Sequence, residues 1–195
     1  FLTYSIPQIF IKGAPLILIA LGLSVGFKAN VWNIGAEGQY IMGAIFGASF
    51  ALSLYPLESI FIFPTMVLMG ILGGSLWSMI PALLKVKFNV NEILVSLMLV
   101  YVAEQILALA SLGFLRNPDG AGFPGSRNLS QYSSASNSEL IMGTGIHLGV
   151  LLSLLMVVFF YVLLFRHSLG FKIKLLGNSP KASGFSGDNP NNLIF

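Results

Sequence analysis

Five stretches of about twenty mostly apolar residues run through this chain, and they limit what it can fold into. They cover roughly Pro7–Phe27, Ala36–Leu54, Ile60–Leu84, Glu92–Phe114 and Ile146–Phe165. A helix of about 20 residues crosses about 30 Å of hydrocarbon. Only 9% of the 195 residues are charged, against roughly 25% in a soluble domain. So little charge cannot cover a water-exposed surface, so the bilayer is the expected solvent. The expected fold class is all-α, a polytopic transmembrane helix bundle with about five spanning helices in this stretch of chain. Ten Lys and Arg residues, spread along the chain, make no nucleic-acid face. The absence of cysteine excludes a disulfide scaffold, a thiol nucleophile and a thiolate metal site. His147 and His167 stand apart at helix ends with no acid beside them, so neither catalysis nor a metal is expected there. No cofactor is expected.

Orientation follows from the placement of lysine and arginine. The connections after the first, third and fifth stretches carry Lys28, then Lys85 and Lys87, then Arg166, Lys172, Lys174 and Lys181. The opposite side carries Lys12, Arg116 and Arg127. The side with seven cations is expected to be cytoplasmic, and the alternation of five helices agrees with that. The connection 115–145 is then extracytoplasmic. It is rich in Gly, Ser and Asn and long enough to be either functional or mobile. Glycines recur four apart at Gly22 and Gly26, Gly43 and Gly47, and Gly70 and Gly74, which is the spacing that lets helices approach closely in lipid. Pro81 is expected to end or kink the third helix. Phe1 at the start and the apolar run Asn192-Leu193-Ile194-Phe195 at the end read as cuts in a longer protein, so the helix count is a minimum.

Polar islands between these stretches are where chemistry can sit. Asn30-Val31-Trp32-Asn33-Ile34-Gly35-Ala36-Glu37-Gly38-Gln39 places two asparagines, a carboxylate and a glutamine between apolar runs. One reading is a discontinuous segment lining a translocation path. The other is a cytoplasmic turn with Glu37 at the positive end of the next helix. In the second island, Asn89-Val90-Asn91-Glu92, an asparagine and an acid at a helix start are good capping chemistry. Glu104 lies about three turns into the same helix beside Gln105, facing either the bundle interior or the outer interface. The chain contains no phosphate-binding GxxxxGK[ST] run, no HExxH and no nucleophile elbow. Any energy source must come from an ion gradient or another subunit. The third island is the cytoplasmic stretch from Arg166 to Gly187. There Asn178 or Ser179 can cap a short helix starting at Pro180 and ending at Gly184 or Gly187. It is either a docking element or a loop lying along the lipid.

Three runs in this chain resemble the permease subunits of bacterial ABC importers. They belong to the branched-chain amino acid, ribose and nucleoside permease superfamily, and the simple-sugar or nucleoside branch is the most similar. The runs are Ala14-Pro15-Leu16-Ile17-Leu18-Ile19-Ala20-Leu21 leading into Asn33-Ile34-Gly35-Ala36-Glu37-Gly38-Gln39, then Phe88 to Leu99, then Leu169-Gly170-Phe171 through Gly177 to Gly187. The resemblance implies that residues 1–195 form part of one transmembrane permease domain, cut at both ends. It implies that 166–192 is a cytoplasmic coupling loop seated on an ATPase subunit, with Gly177, Asn178, Pro180, Ala182, Gly184 and Gly187 as contact or shaping residues. Ser183 and Asp188 depart from the family pattern. It also implies a substrate pathway or gate at Asn33, Gly35, Glu37, Gly38 and Gln39, with Asn91 and Glu92 as further candidates. The implied partners are cytoplasmic ATP-binding subunits, a second permease subunit and an extracytoplasmic solute-binding protein, in a bacterial cytoplasmic membrane. The chain itself is then a transport subunit and hydrolyses no ATP. A nucleoside or simple sugar is the expected solute, with a branched-chain amino acid as the alternative. The rival classes are a carrier driven by an ion gradient through Glu37, Glu92 or Glu104, and a structural membrane subunit whose glycines only pack helices.

Overall fold

Apolar length and helix-ending asparagines together set the element boundaries. The computed structural model describes residues 2–120, 123, 125–140, 143–179 and 183–184. The elements are α1 (Leu2–Lys28), α2 (Ala36–Ser53), α3 (Ile62–Phe88), α4 (Glu92–Leu112), a short 3-10 turn (Leu129–Gln131), α5 (Leu148–Phe165) and α6 (Ser168–Asn178). They form two units, one made of residues 1–33 and 138–195, the other of residues 34–137. Among the described residues there is no strand, and four helices, α1, α3, α4 and α5, are long and apolar enough to cross a membrane.

The fifth expected span, α2, is a full helix of 18 residues but less apolar than the other four, because Glu37 and Gln39 occupy its first turn. Its position explains how that is tolerated. α2 packs against both α3 and α4, burying Gly38, Met42, Ile45, Gly47 and Ala51. Met42 and Ile45 join Ala103, Ala110 and Leu115 in the main core of this unit, with Trp77 packed against it. Contact between α2 and α3 runs through backbone. A Cβ on Gly43 would lie 2.9 Å from the Gly70 carbonyl oxygen, and one on Gly70 would lie 3.3 Å from that of Gly43. Gly47 and Gly74 make similar approaches to Met66 and Gln39, each at 3.1 Å. The four-residue glycine spacing is therefore a helix seam here, whereas a Cβ on Gly22 of α1 would meet nothing within 4 Å.

Pro81 does not end α3. The helix continues through it to Phe88, with Pro81 buried. The terminator is Asn89, in the left-handed region at φ 51°, with its N–H on the Leu84 and Lys85 carbonyls. Asn30, at φ 59°, does the same after α1, where the Val31 N–H returns to the Gly26 carbonyl at 2.9 Å. Asparagine is the non-glycine residue that most readily takes this conformation.

The 115–145 connection is anchored through its first part. Tyr132 is buried with Ala51, Ile62 and Ala135, and its hydroxyl donates to the Leu57 carbonyl. Burial, then the Glu58 carboxylate and Tyr55, hold its phenol above the usual 10.0. Ser59 N–H donates to Ser134 Oγ at 3.1 Å. Arg127 pairs with Asp119 at 2.8 Å and lies 4.4 Å over the Tyr55 ring.

In the other unit, α5 packs on α1, and α6 packs on both. Residues 168–178 of the third polar island form a helix of their own, α6, which the sequence reading did not anticipate. His167 is its N-cap, Nδ1 accepting from the Leu169 N–H at 3.1 Å. Pro180, Ala182 and Gly187, and with them the start and the Gly187 end expected for a helix from Pro180, lie outside the described residues.

Candidate functional site

The first polar island contains the connection between α1 and α2, non-helical over residues 29–35. Trp32 stacks near Phe27, with centroids 5.0 Å apart, and its Nε1 donates to Asn30 Oδ1 at 3.1 Å. Gly35 is the buried N-cap of α2 and accepts from the Gln39 N–H at 3.2 Å. Glu37 is exposed in the first turn of α2, where the helix dipole favours a carboxylate. Asn33 and Gln39 are half-buried.

The first two polar islands meet. The Ile34 N–H donates to Ser96 Oγ at 3.2 Å, and Ser96, almost fully buried, donates in turn to the Ile93 carbonyl at 3.1 Å. In the first turn of α2, Gly38 is pressed against α4. A Cβ there would lie 3.1 Å from Val100 Cα, 3.2 Å from the Leu99 carbonyl and 3.3 Å from Trp77 Nε1. That indole nitrogen is buried, with no hydrogen-bond partner among the described residues. Gly38 therefore serves close packing of α2 on α4.

Asn91 caps α4, its Oδ1 accepting from the Ile93 N–H at 3.0 Å. Glu92 forms an ion pair with Lys85, both side chains partly buried. The pair joins the cationic last turn of α3 to the acidic first turn of α4, each charge at its favoured helix end. Glu104 is exposed on α4. Sequence reasoning missed Ser96, because a serine inside an apolar helix looks like any other tolerated small residue.

This junction can be weighed by one substitution. Ser96→Ala removes the acceptor of the Ile34 N–H and, because Ile34 is itself exposed, costs about 0.5–1.5 kcal/mol, the net worth of one hydrogen bond. The midpoint of thermal unfolding in detergent should fall. An unchanged midpoint would mean that the turn is held by other contacts.

The third island supplies a second set of close contacts. A Cβ on Gly177 would lie 2.1 Å from the Lys28 carbonyl oxygen, and one on Gly170 would lie 2.4 Å from that of Leu163. Both positions admit only glycine without movement of α6 against α1 or α5. Asn178 is exposed at the end of α6. Ser179 is extended and accepts from the Ser183 N–H at 3.1 Å. Gly184 is exposed, and a Cβ there would meet nothing within 4 Å.

Four long apolar helices and the glycine seam between α2 and α3 define a multi-pass helical membrane protein. The chain belongs to the family of branched-chain amino acid transport system permease components, which it matches over residues 5–195. It is 30% identical over 192 residues to the glucose ABC transporter permease protein TsgB13 of Haloferax volcanii, covering 94% of this chain and 50% of that protein. It is 28% identical over 179 residues to the nucleoside ABC transporter permease protein NupB of Lactococcus lactis subsp. cremoris, covering 89% of this chain and 49% of that one. With the guanosine ABC transporter permease protein NupP of Bacillus subtilis it shares 25% identity over 188 residues, 94% of this chain and 52% of the relative. The chain spans about half the length of these curated relatives. No solved structure matches it.

Proposed function

We propose that this chain is part of the membrane-spanning permease of an ATP-driven importer in a bacterial cytoplasmic membrane, carrying a simple sugar or nucleoside. The observation that carries the reading is the family match, together with relatives named as glucose, nucleoside and guanosine permeases. ATP hydrolysis then belongs to separate cytoplasmic subunits. A second permease subunit completes the path, and an extracytoplasmic binding protein delivers solute.

Within this scheme Glu37, exposed, and Gln39, half-buried, in the first turn of α2 are the candidate gate residues at the cytoplasmic mouth. Asn33 and Gly35 shape the turn that holds them. Gly38, Asn91 and Glu92 act indirectly through packing, capping and the Lys85 pair. The coupling role falls to α6 and the segment after it, with Gly177 and Asn178 at the junction and Pro180, Ala182, Gly184 and Gly187 as the continuing candidates. Rocking of packed helices as units then alternates access.

A cysteine crosslink tests this directly, since the segment has no cysteine of its own. In a cysteine-free full-length permease, Asn178→Cys should crosslink to a cysteine in the ATPase subunit, and the link should stop solute-stimulated ATP hydrolysis. No crosslink, with uptake intact, would remove α6 from the coupling role. A gradient-driven carrier is the second reading, favoured by the exposed carboxylate of Glu104 in the middle of α4.

A further inference from the structure

The ends of α1 and α5 and the length of α6 enclose an open groove of about 900 Å³. Lys28, Arg166 and Lys174 line it. Among the described residues of this unit the one carboxylate is Glu139, and its Oε2 accepts from the Gly143 N–H in the connection before α5. No acid among the described residues neutralises the groove. Three phenylalanines share its walls with the polar Asn30, His167, Ser168 and Asn178. Phe27, Phe165 and Phe171 are 42%, 65% and 66% exposed, and Lys28 Nζ lies 3.8 Å above the Phe165 ring.

Three cations beside three exposed phenyl rings fit a ligand that is anionic at one end and apolar at the other. The location narrows the choice. The groove sits at the cation-rich ends of two spanning helices, which the charge bias puts at the cytoplasmic interface. Anionic headgroups concentrate there, and basic pockets between spanning helices hold them. We propose that this groove binds the phosphate of an anionic phospholipid through Lys28, Arg166 and Lys174, with the glycerol and upper acyl chain against the phenyl rings. A carboxylate from a soluble partner satisfies the cations but leaves the rings in water, so the lipid is the better fit. The inference requires only that the chain spans a membrane in this orientation, and stands whether or not the transport reading does.

The test is lipid retention by the full-length protein, purified from membranes and observed by native mass spectrometry after exchange into mixed phosphatidylcholine and phosphatidylglycerol. The intact protein should retain phosphatidylglycerol selectively, and excess inorganic phosphate should displace little of it. Each charge removed in Lys28→Gln, Arg166→Gln and Lys174→Gln should weaken retention about fivefold at low salt, whereas Lys28→Arg and Lys174→Arg should keep it. Equal retention of the two lipids by the unsubstituted protein overturns the proposal, and needs no variant to fold. Full displacement by inorganic phosphate makes the groove a soluble-anion site and also overturns it. So does unchanged lipid retention in the glutamine variants accompanied by loss of an ATPase partner, which would assign the groove to protein carboxylates.

Discussion

Replacing Gly177 by alanine should largely uncouple solute from ATP hydrolysis, and replacing it by tryptophan should abolish coupling. The reason is space. A Cβ at this position would sit 2.1 Å from the Lys28 carbonyl oxygen, far inside van der Waals contact, and the obstacle is backbone that cannot rotate away. α6 must then lift from the end of α1. Overpacking of this kind costs about 1–3 kcal/mol for small intrusions, enough for roughly a tenfold loss where the packed position is required. Gly13→Ala, outside the coupling segment, is the matched control, since a Cβ there would meet nothing within 4 Å. Measured in proteoliposomes, the ratio of solute transported to ATP consumed should collapse for Gly177→Ala and stay near that of the parent for Gly13→Ala. Equal behaviour of the two would show that the α1–α6 contact plays no part in coupling.

A second large effect should come from the α2–α3 seam. Gly43→Leu drives a branched side chain into the Gly70 carbonyl, where even a Cβ would lie at 2.9 Å. Helix association in lipid depends on such close backbone approach, and the core around Met42 and Ile45 sits on the same helix. The expected cost is at least the upper part of the about 1–3 kcal/mol range for overpacking, with a large fall in folded yield and in unfolding midpoint in detergent. Gly22→Leu has the same chemistry but open space around it, so it should leave both nearly unchanged. A midpoint for Gly43→Leu close to that of the parent would mean that α2 and α3 are not held by this seam.

Much of the fold was legible because membrane spans are read from length and apolarity alone. α3, α4 and α5 start and end within a few residues of the expected positions, and the Asn91 cap follows from an asparagine before an acidic first turn. Charge placement set the expected orientation for the same reason. The features that could not be read depend on tertiary contact. α6 is short, with glycine near each end, and becomes stable only by pressing those glycines onto α5 and α1. Pro81 reads as the end or a kink of α3, and the helix continues through it to Phe88, the packed helix outweighing one lost hydrogen bond. α2 reads as a fifth span of the same kind, but its polar first turn marks it as the helix that α3 and α4 both cover. The anchoring of the long connection rests on Tyr132, an aromatic among serines, reaching carbonyls about 75 residues away in sequence.

The candidate site was legible as islands of polarity but not as an arrangement. Nothing in the spacing of Ile34 and Ser96 announces that one bonds to the other. Likewise the pairing of Glu92 with Lys85 competes with any pathway role suggested by its charge. Glu37, Gln39 and the segment from Gly177 onward therefore carry the functional proposal.

The central claim is that this permease is moved by ATP hydrolysed elsewhere. It is tested most directly by uptake into vesicles that contain the full-length permease, its ATPase subunits and its binding protein, with radiolabelled glucose and guanosine as probes. The account predicts uptake of at least one probe that requires ATP on the cytoplasmic face and persists when proton and sodium gradients are collapsed by ionophores. Uptake that proceeds without ATP and disappears with the gradient would contradict it, and would turn attention to Glu104 as the ion-coupling carboxylate.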